Sequence, residues 1–322
     1  MSEDFDDVSI SQYDAAVART PGIAHFCSSS AWVLPAHRYL NGERELLARQ
    51  REGHWLLMAR GAFMQIPSAL QPLDAQWCFC SPLIGGQVSS SVTLLTETLS
   101  EETVPSRLVL LGGIPRDEHW FHCLSGALTP MGTLRAFTGT DCLVASLADG
   151  TEGFLSRRSG KFRAELRRSE RKAEREGVRF DHAHEEADAQ SLLERILSVE
   201  QRSWKWQAGE SIFQACGMLD FYRDLMRRTA AGGTLRAVFA CRDGQDLGYA
   251  FGASFAGSFR GLQMGYDRAC ETLSLGNLCQ WQLIQRLAGE GIARYDLGMD
   301  IDYKRRWAEE RLELVTLLLV RG

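Results

Sequence analysis

Several things are missing from this chain of 322 residues, and each absence narrows its chemistry. No apolar run approaches the roughly 18–20 residues that cross a bilayer. The opening residues, 1–14, are acidic, so they read neither as a secretory signal nor as a transit peptide, and the expected location is the cytoplasm. The nine cysteines are an odd number and contain no Cys-x-x-Cys, which argues against a disulfide framework and against a zinc site. Seven histidines make no metal-binding spacing. His182-x-His184 lies beside Glu185, Glu186 and Asp188 and reads as a solvated surface. Gly-x-Ser-x-Gly, the Walker loop and the Rossmann Gly-x-Gly-x-x-Gly are all absent, which removes most nucleotide hydrolases and dehydrogenases.

What is present is an uneven charge. Residues 157–175 hold nine basic and three acidic side chains, so the net −5 of the chain divides into +6 here and −11 elsewhere. A local basic segment in an acidic protein is a candidate anion site. It is not the overall basic balance of a DNA-binding domain. Ser159 can cap this segment and Gly177 can stop it, with no proline between, so a helix is expected. A solvated connecting helix is the plainer reading. The excess of arginine keeps Arg163 and Arg167 as candidate anion contacts.

The first half reads as mixed α/β. Helices are expected at residues 30–50 and 92–99. Strands are expected at 54–60, 76–81 and 107–111, with an extended stretch over 134–147. The alternation Trp77-Cys78-Phe79-Cys80 predicts a strand with both thiols on one face, and the cysteines as a class are expected to be buried and inert. Asp149-Gly150 is the expected boundary between a domain of residues 1–150 and one of 151–322. The second half runs strand 178–183, helices 188–207 and 217–231, and a three-strand meander ending at Tyr266. A helix opened by Ser274-Leu275-Gly276-Asn277, the strand Tyr295-Asp296-Leu297-Gly298, a short helix at 302–307 and a strand at 312–320 complete it. The helix between two strands matters because its N-terminus presents unpaired N–H groups and the positive end of a dipole, which suits a phosphate. Gly276 taken alone reads more readily as a helix-entry glycine.

This order, with Lys161-Phe162-Arg163, Glu200, Ser203-Trp204-Lys205, Phe221-Tyr222-Arg223, Gly233-Thr234-Leu235-Arg236, Tyr266, Leu273-Ser274-Leu275-Gly276, Tyr295-Asp296-Leu297-Gly298 and Tyr303-Lys304-Arg305-Arg306-Trp307, resembles the GNAT acyltransferase superfamily over about residues 155–320. It is most similar to the branch called BioF2-like or cellulose-biosynthesis-type acetyltransferases. It also resembles the Fem aminoacyltransferases, whose two halves each carry a GNAT-like fold. The resemblance implies an α/β protein of tandem GNAT-like folds, mixed sheets flanked by helices, with the C-terminal copy the better formed. No direct sequence repeat accompanies it. One departure stands out. Superfamily members carry a Gly-rich loop for the coenzyme A pyrophosphate, and residues 272–277 here keep a single glycine.

The implied activity is N-acyl transfer from acyl-CoA, acetyl-CoA or another phosphopantetheine thioester to an amine on a small molecule, sugar or lipid precursor. No resident cofactor or metal is implied. A Fem-like transfer from aminoacyl-tRNA and an inactive GNAT-fold binding module are the alternatives. By the same resemblance Ser274, Leu275, Gly276 and Asn277 would hold the donor. Glu200 or Asp296 would take the amine proton, Tyr266 would protonate the leaving thiolate, and Lys304 would stabilise the oxyanion or touch substrate. Arg163, Arg167, Trp204, Lys205 and Tyr303 would line the substrate site. Each also has a structural reading: helix solvation for Glu200, a turn or cap for Asp296, packing for Tyr266 and Trp204, and an exposed helix lysine for Lys304.

Overall fold

The computed structural model describes residues 7–63, 66–101, 106–183 and 188–321. His184, Glu185, Glu186 and the first six residues of the acidic N-terminus lie outside them. The chain forms two compact units, Met1–Asp141 with Leu312–Gly322, and Cys142–Arg311. This differs from the expected boundary at Asp149-Gly150 in two ways. The segment just before that turn pairs into the second unit, and the last strand pairs into the first.

The first unit has helices α1 (Asp7–Arg19), α2 (His25–Ser28), α3 (Ser30–Leu40), α4 (Val88–Ser100) and α5 (Glu118–Leu128). Its strands are β1 (Glu45–Arg51), β2 (His54–Phe63), β3 (Ile66–Gln71), β4 (Leu83–Ile84), β5 (Leu108–Pro115), β6 (Gly132–Thr138) and, from the chain end, β14 (Leu314–Arg321). They order β1-β2-β3-β5-β14-β6, with β4 beside β2. The β3–β5 pair is parallel, and α4 makes the crossover between them. Leu317 and Leu319 of β14 are buried with Val109 and Leu111 of β5, which is why this strand completes the first unit's core.

The second unit has strands β7 (Cys142–Ser146), β8 (Arg179–His182), β9 (Leu235–Arg242), β10 (Gln245–Phe255), β11 (Ser258–Tyr266), β12 (Arg294–Met299) and β13 (Glu310–Leu312). Its helices are α6 (Gly150–Ser156), α7 (Gly160–Arg175), α8 (Ala189–Glu200), α9 (Trp204–Gln207), α10 (Met218–Ala231), α11 (Leu275–Gly289) and α12 (Asp302–Arg305). The strand order is β13-β7-β12-β11-β10-β9-β8. Alternate residues of three strands, Leu143 and Ala145, Phe259, and Tyr295 and Leu297, join one core with α11 and the apolar stripe of α7. That stripe is thin, Phe162, Leu166 and Ala173, and the Ser159 side chain caps the helix by accepting from the Phe162 N–H.

Four expected elements come out differently. The helix expected over 30–50 stops at Leu40, and Glu45–Arg51 instead pairs antiparallel with His54–Arg60 through the turn at Gly53. The 76–81 segment is not a strand. It turns around the buried Asp74, whose carboxylate accepts from the Phe79 and Cys80 N–H groups, and Cys78 takes a left-handed φ of 54°. The extended stretch over 134–147 is two strands, β6 and β7, in different sheets. The helix over 188–207 breaks after Glu200, because Ser203 starts a new helix by accepting from the Trp206 N–H. The cysteines also divide: five are buried, Cys78, Cys123 and Cys241 are half-buried, and Cys216 is exposed. Among the described residues no helix is long and apolar enough to cross a membrane.

Candidate functional site

The site begins where two parallel strands part. β11 and β12 pair only at Ser258 with Arg294, Phe259 with Tyr295, and Arg260 with Asp296. β11 then runs on to Tyr266 without β12 but still paired with β10, and a bulge in that pairing leaves Leu262 without an opposite residue. The chain leaves β11 through a 3-10 turn, Arg268–Leu273, and enters α11 at Ser274, which sits in the left-handed region at φ 56°. The first intrahelical bond runs from the Leu278 N–H to the Ser274 carbonyl. The N–H groups of Leu275, Gly276 and Asn277 precede it, and among the described residues no side chain caps this end. The helix has 15 residues, so its dipole is well developed at that point.

These N–H groups open on a cavity of about 540 Å³, a size that suits a small-molecule ligand. α7 supplies one wall with Phe162, Glu165, Leu166 and Arg168, and the end of β11 supplies Met264, Gly265 and Tyr266. α9 contributes Trp204 and Lys205, and the segment after β12 contributes Tyr303, Arg306 and Trp307. Trp204 and Tyr303 are each 45% exposed, so both rings are available to a ligand. Arg306 ion-pairs with Glu165 and stacks over Phe162, which packs edge-on against Trp307 at 4.8 Å.

Of the expected donor-holding residues, Ser274, Gly276 and Asn277 line this cavity, while Leu275 is turned into the core. A Cβ at Gly276 would meet Tyr266 Cδ1 at 3.6 Å and Met264 Sδ at 3.9 Å, both ordinary contacts, so the fold itself has room for a side chain there. Trp204, Lys205, Tyr266 and Tyr303 also line it. Arg163 and Arg167 do not. At 100° per residue they point away from the face that carries Glu165 and Arg168. The Arg163 guanidinium reaches back to the Leu155 carbonyl instead, at 3.5 Å. Arg168, one position on, is the arginine on the wall; it is exposed and has no hydrogen-bond partner among the described residues. The apolar phase of Phe162, Leu166 and Ala173 does not select it from the sequence, because Arg168 lies farther round the helix from that stripe than Arg163 or Arg167.

Glu200 sits behind the wall. It is fully buried, accepts from Ser211 Oγ at 2.7 Å and from Tyr249 OH at 2.8 Å, and lies 3.4 Å from Lys205 Nζ. Burial, then the Glu200 charge, raises the Tyr249 phenol well above 10.0, so it remains a donor. Gly265 separates Glu200 from the cavity; a Cβ there would stand 2.6 Å from Glu200 Oε2. Lys205 Nζ also donates to the Met264 carbonyl at 3.0 Å, which fixes the ammonium at the wall.

Asp296 and Lys304 belong to a second cluster, on the sheet face opposite the α11 core. The Arg260 Nη1 donates to Asp296 Oδ2 at 2.7 Å and to Cys142 Sγ at 3.5 Å. The Gly298 N–H donates to Asp296 Oδ1 at 2.7 Å. Lys304 faces this cluster. Burial first, and the Arg260 guanidinium second, lower its ammonium from 10.5 to about 8, against the pull of Asp296. Asp296 is therefore committed to Arg260 and the turn, and neither it nor Lys304 lines the large cavity.

Residues 160–305 match the family model described as an acetyltransferase (GNAT) domain. No curated protein matches the chain. Three solved structures resemble it over nearly its whole length. FemX is 10% identical, covers 95% of each chain and has a TM-score of 0.67. A conserved protein of unknown function from Bacteroides thetaiotaomicron is 12% identical, covers 98% of this chain and 99% of its own, with a TM-score of 0.66. L-PGS from Bacillus licheniformis is 13% identical, covers 100% of this chain and 94% of its own, with a TM-score of 0.61. The fold is thus mixed α/β with two sheets in the tandem GNAT-like arrangement, and its second unit carries the stretch that matches the acetyltransferase domain.

Proposed function

We propose that this chain is an N-acyltransferase of the BioF2-like branch that moves an acyl group from acyl-CoA, or another phosphopantetheine thioester, to an amine. The observation that carries this reading is the uncapped start of α11 at Gly276 and Asn277, opening beside Arg168 on a cavity at the parting of β11 and β12. The dipole, the free N–H groups and the guanidinium favour a phosphate there. Lys205 is the wall cation placed to stabilise charge developing on the transferred carbonyl. Tyr266 is the wall hydroxyl placed to protonate the thiolate. Lys304, with Arg260 and Asp296, acts from the opposite face of the parting strands.

Calorimetric titration with coenzyme A tests this. Binding in the wild type, with a large rise in Kd for a folded Gly276→Val variant, supports the donor site. Unchanged affinity in that variant removes it. A second reading, Fem-like transfer from aminoacyl-tRNA, is favoured by the exposed Lys161, Arg167, Arg171 and Arg175 on α7, none of which lines the cavity. Tight, salt-dependent binding of tRNA, with none of coenzyme A, would select it.

A further inference from the structure

A side chamber of about 370 Å³ adjoins the main cavity. Trp204, Tyr266 and Glu271 line both spaces, whereas Arg168, Gly276 and Asn277 line only the larger one. The side chamber is completed by Gln207, Ala208 and Arg268, and Arg268 Nη1 donates to Gln207 Oε1 at 2.7 Å. The phosphate-suited groups therefore lie in the larger space alone, and the aromatic and carboxylate groups lie where it meets the side chamber.

Two carboxylates line that space, Glu165 and Glu271, and three stand behind it or across the sheet, Glu200, Asp267 and Asp296; all but Glu271 are engaged, Asp267 by Arg202 and the Ala269 N–H. Glu165 is paired with Arg306, Glu200 is enclosed by Ser211, Tyr249 and Lys205, and Asp296 is held by Arg260 and the Gly298 N–H. The Glu271 side chain has no hydrogen bond or ion pair among the described residues, and it is exposed to the junction of the two spaces. The other charged groups around it are Arg168 and Lys172 of α7, Lys205 of α9 and Arg268 of its own turn. Lys172 Nζ donates to the neighbouring Thr272 carbonyl and Lys205 is already held by Glu200.

We infer that the side chamber binds the acceptor as a primary amine whose carbon skeleton lies against Trp204 and Tyr266, and that Glu271 accepts the amine proton. The inference rests on the acyltransferase reading above. The ring faces attract an ammonium on arrival, and the carboxylate holds it at the junction. In the transfer, Glu271 first takes one proton from the ammonium and passes it to water, and the nitrogen lone pair so freed forms the C–N bond to the thioester carbonyl carbon. The C–S bond breaks with its electron pair leaving on sulfur. The second proton released from nitrogen passes to a Glu271 oxygen and from there to the thiolate. Amine and thioester become amide and thiol.

Phenethylamine, which combines a primary amine with an aromatic body, is the probe. Titrated alone into the wild type it should bind, and Glu271→Gln should weaken that binding at least tenfold while coenzyme A affinity is unchanged. With acetyl-CoA as donor, Glu271→Gln should lower thiol release roughly 100-fold, the usual scale of a general base, and added formate should restore part of the activity of Glu271→Ala. A wild type that does not bind phenethylamine overturns the inference. So does a Glu271→Gln variant that binds and turns over like the wild type, or a turnover loss confined to Glu200→Gln at unchanged melting temperature. Absence of coenzyme A binding defeats the acyltransferase reading instead, and the amine titration, which needs no donor, still decides the amine site.

Discussion

The two units build the same local pattern and use it oppositely. In each, a strand leads through a helix to a parallel neighbour: β3, α4 and β5 in the first, β11, α11 and β12 in the second. In the second, the chain leaving β11 steps aside and the helix start faces a cavity. In the first, the chain leaving β3 folds onto the end of β5. A Cβ at Gly112 would stand 2.7 Å from Cys78 Cβ, and one at Gly113 would stand 2.5 Å from the Cys80 backbone. The loop is locked there by Asp74, which accepts from Phe79 N–H, Cys80 N–H and Trp32 Nε1–H. One copy of the pattern encloses its own loop, and the other leaves space for a ligand. The difference lies in the path of one connection, residues 72–87 in the first unit and 267–274 in the second.

The largest expected effect is on the enclosed copy. Asp74→Ala leaves three buried N–H donors and the Cys80 thiol without acceptors, at about 1–3 kcal/mol for each N–H before any relaxation, so a net loss of about 3–5 kcal/mol is expected in denaturant unfolding. Coenzyme A affinity of the folded fraction should not move. If the variant keeps wild-type stability, the carboxylate does not hold the loop and the contrast between the units fails. The same group gives a pH test. Burial raises Asp74 from 3.8 to about 6, partly offset by its hydrogen bonds. Its folded value lies above its unfolded one, so the folded state binds more protons between these limits. Its contribution should therefore grow as pH falls from about 6 toward 3.8.

The next effect sharpens the open copy. Arg168→Gln should raise the coenzyme A Kd about tenfold, the scale of one charge-assisted hydrogen bond, and flatten its salt dependence. Arg167→Gln, one residue away on the helix, should change it less than twofold. Equal losses in both variants would mean that the helix acts only through its overall charge.

That pair of arginines also shows what could be read before the structure. The second unit's elements, the Ser159 cap and the helix start at Ser274 follow from periodicity and local hydrogen-bonding chemistry, which are short-range. Choosing Arg168 over Arg163 and Arg167 required knowing which flank of α7 faces the end of β11, and the three-residue apolar stripe does not give that. The break after Glu200 was signalled by Ser203, yet the apolar spacing ran through it. Other features were not legible at all. Glu200 looks like a solvated helix residue until Tyr249, 49 positions away, is seen to donate to it. Cys78 and Cys80 alternate as in a strand, and only the buried Asp74 turns the chain around itself. The placement of β14 in the first sheet depends on partners about 200 residues earlier, which no local pattern encodes.

The smallest expected effect concerns Lys304, which separates a group held for function from one held for stability. Its ammonium is half-buried and lowered from 10.5 to about 8, chiefly by burial and next by Arg260. A lowered lysine binds fewer protons folded than unfolded between these two values. Below about pH 8 both states are protonated and the buried charge is fully unfavourable. As pH rises from about 8 to 10.5 the folded state sheds the proton first, so stability should rise from this group alone. Lys304→Met removes the charge and keeps the length of the side chain. It should therefore be slightly more stable than the wild type at pH 7, with the gap closing by about pH 10. If the cluster serves transfer, the same variant should also turn over more slowly with little change in coenzyme A affinity. A variant less stable at pH 7, with turnover unchanged, would make Lys304 a structural partner of Asp296 and leave the opposite face of the parting strands without a chemical role.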